Sequence, residues 1–96
     1  MKIFSATVLV ESAVPHTMVR FERGRNSSTV VVSRERLKEN CGIQRATVEI
    51  PPHTANCSEE GRRVACETVA NWIDGTKLAQ RATVEEVARV VDALLV

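Results

Sequence analysis

Ninety-six residues, 44% hydrophobic and 26% charged with a net charge of +1, describe a single domain over 1–96 with one core, and exclude a disordered chain. No run of eighteen apolar residues occurs, so no membrane-spanning segment is expected. Three cysteines, an odd number beside an adequate core, point to reduced thiols and a cytoplasmic setting. The aromatics are only Phe4, Phe21 and Trp72, so Val, Ile, Leu and Ala must fill the core, and the abundance of Val favours a sheet.

The first strand is expected over Lys2 to Glu11, with Phe4, Ala6, Val8 and Val10 on one face and Ser5, Thr7 and Glu11 on the other beside Ile3 and Leu9. Its alternation reads as a strand rather than a cleaved leader. Ser12 to His16 is a turn around Pro15. Thr17 to Arg23 is the second strand, placing Val19 and Phe21 opposite Met18, Arg20 and Glu22. Gly24 to Ser28 marks a hairpin loop, and Thr29 to Val32 a short third strand with no assignable face.

Ser33 then has the character of a helix cap, with about two helical turns after it anchored by Leu37 and stopped at Gly42. Gln44 to Ile50 alternates as a fourth strand, ended by Pro51 and Pro52. From Ser58 to Gly75 the residues Ala65, Val69, Trp72 and Ile73 form one helical stripe bordered by Cys66, which puts Trp72 at the centre of the core. Arg63 and Glu67, four apart on the opposite side, are expected to pair. Thr76 to Arg81 reads as a loop or short helix. A final helix runs from about Val84 to Leu95, opened by a Thr83–Glu86 capping box, with Val84, Val87, Ala88, Val91, Leu94 and Leu95 buried.

The order βββαβαα implies an α+β fold: a mostly antiparallel four-stranded sheet with two or three helices on one face and the other face open.

Chemical signatures are sparse. Cys41, His53, Cys57 and Cys66 carry zinc-binding atoms, but no C-x2-C or C-x4-C pair nucleates a site, so no metal or other cofactor is expected. His16 and His53 sit in Pro-containing turns, and neither is paired by sequence with a nucleophile beyond Cys57. Phosphate-loop and metalloprotease motifs are absent, and no enzyme is predicted.

Residues 1–50 carry eight Lys or Arg against five Glu, a charge of +3, and residues 51–96 carry −2. Arg20, Arg23, Arg25, Arg34, Arg36, Lys38 and Arg45 have the charge to track a phosphate backbone, but the exposed strand positions lack aromatic stacking residues and interleave glutamates. The C-terminal stretch around Ala79, Ala82, Val84, Val87, Arg89, Val90 and Val91 resembles the helix-turn-helix of bacterial repressors and the opening helices of histone-like DNA-binding proteins. Thr83 stands where that family places its turn glycine, the turn is about two residues short, and Glu85 and Glu86 occupy the end that should approach DNA. A capped amphipathic helix accounts for the same residues.

The reading is therefore a non-catalytic binding module that docks on a larger protein or nucleoprotein complex. In size and build it is similar to phage-encoded inhibitors such as anti-CRISPR proteins, an analogy of architecture that implies an accessory or inhibitor role. The expected partner-binding residues are Arg20, Glu22, Arg23, Arg25 and Arg45, bordering the open sheet face. A nucleic-acid-binding module is the alternative and a small Cys- or zinc-dependent protein the second; a homodimer through an uncovered face or edge strand is compatible with all of these.

Overall fold

The computed structural model describes residues 7–24, 29–38, 42–52 and 59–95. Its elements follow from where the chain alternates and where it runs on a helical period. Four strands, β1 (Thr7–Glu11), β2 (Thr17–Arg23), β3 (Val30–Lys38) and β4 (Gly42–Ile50), precede two helices, α1 (Glu59–Asp74) and α2 (Arg81–Leu95). The strands lie side by side in chain order, every pair antiparallel. The architecture is α+β as expected, but among the described residues the order is ββββαα rather than βββαβαα.

The difference lies in residues 33–38, expected as helix and found as the second half of β3. Ser33, Glu35 and Leu37 alternate with Arg34 and Arg36; residues 33–36 pair with β2 on one side and β4 on the other, and Leu37 and Lys38 with β4 alone. A two-turn helix anchored by one leucine gains little against the cost of nucleating it. An interior strand satisfies the same backbone groups with both neighbours. Gly42 has φ +72°, the left-handed conformation that suits a helix stop, but it stands opposite Lys38 at the start of β4. The expected helix stop at Gly42 is therefore a left-handed residue at the start of a strand instead.

One face of the sheet meets the helices. Val19 and Phe21 of β2, Val30 and Val32 of β3 and Ile50 of β4 are fully buried there against Ala65, Cys66, Val69 and Ala70 of α1 and Val87 and Val91 of α2. Helix α1 packs on β4 and β2, α2 packs on β2 and β3, and the helices pack on each other. Glu59 and Glu60 lie in the first turn of α1, where carboxylates complement the helix dipole. Arg63 pairs with Glu67 at 2.7 Å, as its spacing predicted, and also with Glu60 at 2.8 Å.

Trp72 is not the centre of this core. It is partly buried at the edge, while Val69 and Ala70, one turn earlier, are fully enclosed. The periodicity found the correct stripe, but the stripe's centre lies where the helix crosses the sheet, which spacing alone does not reveal.

The carboxy end of α1 is held by the turn between β1 and β2. The Ser12 hydroxyl donates to the Trp72 carbonyl, Ala13 N donates to the Ile73 carbonyl at 2.7 Å, and Ser12 Oγ accepts from Val14 N at 3.0 Å. Gly75 N completes the cap, donating to the Asn71 carbonyl at 2.9 Å from a residue with φ +78°. Arg62 fastens the other end of α1, its Nε donating to the Pro51 carbonyl at 3.2 Å and its Nη2 to Asp92 of α2 at 2.7 Å.

The expected capping box does not open α2. The helix starts at Arg81, so Thr83 is already in its first turn, and Thr83 N and Val84 N both donate to the Gln80 carbonyl. Gln80 N donates in turn to Asp74 Oδ2 at 3.1 Å, a cap supplied by the preceding helix that no local motif would signal. Thr76 to Gln80 is a loop.

Candidate functional site

Antiparallel register assigns each strand residue to a face. Thr7, Leu9 and Glu11 of β1, Met18, Arg20 and Glu22 of β2, Val31, Ser33, Glu35 and Leu37 of β3, and Ile43, Arg45, Thr47 and Glu49 of β4 share the face away from the helices. Among the described residues nothing lies over it. Four large apolar side chains stand out in solvent there: Leu9 57% exposed, Met18 41%, Leu37 59% and Ile43 62%. Leu37 and Ile43 are directly paired across β3 and β4. Met18 lies diagonally from Leu9, whose direct partner is Arg20.

This register sorts the expected binding residues. Arg20, Glu22 and Arg45 are together on the open face, as predicted. Arg23 is not with them: it takes the position opposite buried Val30, on the helix side of the sheet. Arg25 lies outside the described residues. The apolar members Leu37 and Ile43 were missed, since Leu37 served as the anchor of the expected helix. The alternation of Ser33, Glu35 and Leu37 was the signal that would have found them.

The electrostatics of the face differ from the charge of the sequence half that forms it. Glu11, Glu22, Glu35 and Glu49 stand against Arg20 and Arg45, and Arg45 is paired with Glu35 at 3.4 Å. Arg34 and Arg36 point the other way, with Val30 and Val32. The strand period thus splits the row of arginines between two faces and, among the described residues, leaves the open one with an excess of carboxylates. Such a surface repels a phosphate backbone rather than tracking it.

The remaining sequence candidates are less developed. Cys66 is a free thiol buried between the helices and the sheet. Burial pushes its pKa above the ordinary thiol value, with nearby Arg62 pulling weakly the other way, so at neutral pH it is a protonated packing group rather than a thiolate nucleophile. Cys41, His53 and Cys57 lie outside the described residues. Among the described residues no three His, Cys, Asp or Glu side chains are grouped to hold a metal ion, and no helix is long and apolar enough to cross a membrane.

The C-terminal stretch resembling a helix-turn-helix forms a loop and the single helix α2, with no second helix inside it. Glu85 and Glu86 are exposed in its first half and Arg81 pairs with Glu85 at 3.0 Å. Compared with known protein families, with curated proteins and with solved structures, the chain matches none.

Proposed function

We propose that this chain is a non-catalytic binding module that docks on a larger protein through the open face of its sheet. The observation that carries the reading is the set of four exposed apolar side chains, Leu9, Met18, Leu37 and Ile43, on a face whose charges are mixed. Apolar residues set among charges of both signs are the composition of a protein–protein patch. Arg20 supplies a planar donor fork near the middle of the face, suited to a partner's carboxylate. The face's surplus of glutamates favours a protein over a nucleic acid. An accessory or inhibitor role, like that of small phage-encoded proteins of similar build, is the form this docking takes in the proposal.

The test is retention of a defined band from cell lysate by the tagged chain, before and after nuclease treatment and across a salt series. The reading expects retention that survives nuclease, weakens modestly with salt, and is lost in the Leu9→Asp, Ile43→Asp double variant. Retention that nuclease abolishes, or that falls steeply with salt, supports the nucleic-acid alternative instead. Sedimentation of the purified chain separates a second copy from a different partner.

A further inference from the structure

On the opposite side of the sheet, beyond the end of the helix layer, β3 turns from apolar to cationic. Its helix-side residues run Val30, Val32, Arg34, Arg36, where the first two are core and the next two line a cleft of about 240 Å³. Lys77, from the loop after α1, lines the same cleft, and Trp72 and Val14 form its apolar wall.

Four observations set this cleft apart from an ordinary solvated edge. Arg34, Arg36 and Lys77 make no ion pair among the described residues, as Arg20, Arg23 and Arg89 make none, but these three line one cleft together. The Arg34 guanidinium lies over the Trp72 ring at 5.5 Å from its centre, which holds the planar fork in place. Among the described residues Arg34 Nε is buried with no hydrogen-bond partner, a donor whose desolvation none of them offsets. Finally, the Asp74 carboxylate and the last carbonyls of α1 are engaged with other donors. Asp74 accepts from Gln80 N at 3.1 Å and Thr76 Oγ1 at 3.3 Å. The carbonyls of Asn71, Trp72 and Ile73 are taken by Gly75 N, the Ser12 hydroxyl and Ala13 N.

We infer that this cleft binds a phosphomonoester, its phosphate held by Arg34, Arg36 and Lys77 and its organic part resting against Trp72 and Val14. Two guanidiniums and an ammonium without counter-ions match a dianion better than a single carboxylate, and arginine's fork takes phosphate oxygens in pairs. The apolar wall beside the cations makes an ester a better fit than the bare ion.

Trp72 is the one tryptophan of a chain without tyrosine, so its emission reports this cleft directly. Phenyl phosphate, inorganic phosphate and benzoate are titrated against the full chain at constant ionic strength, with chloride as the control. The expected result is a saturable change in emission with phenyl phosphate, weaker binding of inorganic phosphate and weaker still of benzoate. Arg34→Met and, independently, Lys77→Met should each weaken phenyl phosphate, the first by about tenfold or more, since a charge-assisted contact is lost. Arg20→Met, on the other face of the sheet, should titrate as wild type. The proposal is overturned if phenyl phosphate gives no saturable change or only the change chloride gives. It is equally overturned if benzoate or inorganic phosphate binds more tightly than phenyl phosphate, or if both Arg34→Met and Lys77→Met, shown folded by circular dichroism, bind as wild type.

Discussion

The two faces of the sheet are made from the same strands and do opposite things. On the helix side, consecutive rows supply Val19, Phe21, Val30, Val32 and Ile50, all fully buried, while one residue along each strand the side chains are glutamates, arginines and exposed aliphatics. The face that folds the protein and the face available to a partner therefore differ by a single step along the backbone. Stability resides on one face and, in this account, association on the other.

The strongest way to break that division is to remove core volume. Phe21→Ala should cost about 3–5 kcal/mol in urea unfolding, a large share of a small domain's stability, whereas Ile43→Ala on the open face should cost about 0.5 kcal/mol or less. Comparable losses in the two variants would mean that the open face is covered.

Trp72→Ala sharpens the same contrast at the edge of the helix layer. Because the ring is only partly buried, its loss should fall near 2 kcal/mol, clearly below Phe21→Ala. A larger effect than Phe21→Ala would restore Trp72 to the centre of the core.

Ser12→Ala probes how the helix layer is fixed to the sheet. Buried Ser12 bridges the β1–β2 turn and the end of α1, so its removal leaves a carbonyl short of a donor at a cost of about 1–3 kcal/mol. Gly75→Ala tests the same junction from the other side. Its φ of +78° strains any L side chain, and the added Cβ would lie 3.0 Å from Val14 Cγ2, so a loss of about 1 kcal/mol or more is expected.

The smallest effect is a pH dependence. The Cys66 thiol has a folded pKa raised by burial, so the folded state holds this proton more tightly than the unfolded one. Its contribution is complete below the unfolded pKa, about 8.5, and is lost as pH rises through the folded value. Wild type should therefore lose more stability above about pH 8.5 than Cys66→Ala does, and parallel curves for the two would contradict a buried thiol.

Much of this was legible in the chain. Two-residue alternation located β2 at its observed ends, Thr17 and Arg23, and gave the correct faces to Val19, Phe21, Met18, Arg20 and Glu22. Helical periodicity found α1 and most of α2. What sequence could not supply was long-range. The strand character of residues 33–38 comes from pairing with β4 along their length and with β2 as far as Arg36, and local cap and stop signals pointed elsewhere. The start of α2 is fixed by Asp74, six residues before Gln80, rather than by the Thr83–Glu86 pair. The open face was half legible for the same reason: arginines that look like one basic cluster in the sequence are divided by the pleat, so Arg20 and Arg45 face one way and Arg34 and Arg36 the other.

Adjacent residues of β2 offer the most direct test of the two-faced account. Met18 is 41% exposed on the open face and Val19 is fully buried on the other. Thermal unfolding and partner retention are measured for Met18→Asp and Val19→Asp. A carboxylate at Val19 should abolish the cooperative transition, because the charge must enter the core. The same group at Met18 should leave the midpoint within about 4 °C of wild type, a change of less than about 1 kcal/mol, while abolishing retention. A Met18→Asp protein that unfolds as Val19→Asp does, or that keeps its midpoint and still retains the partner, would contradict it.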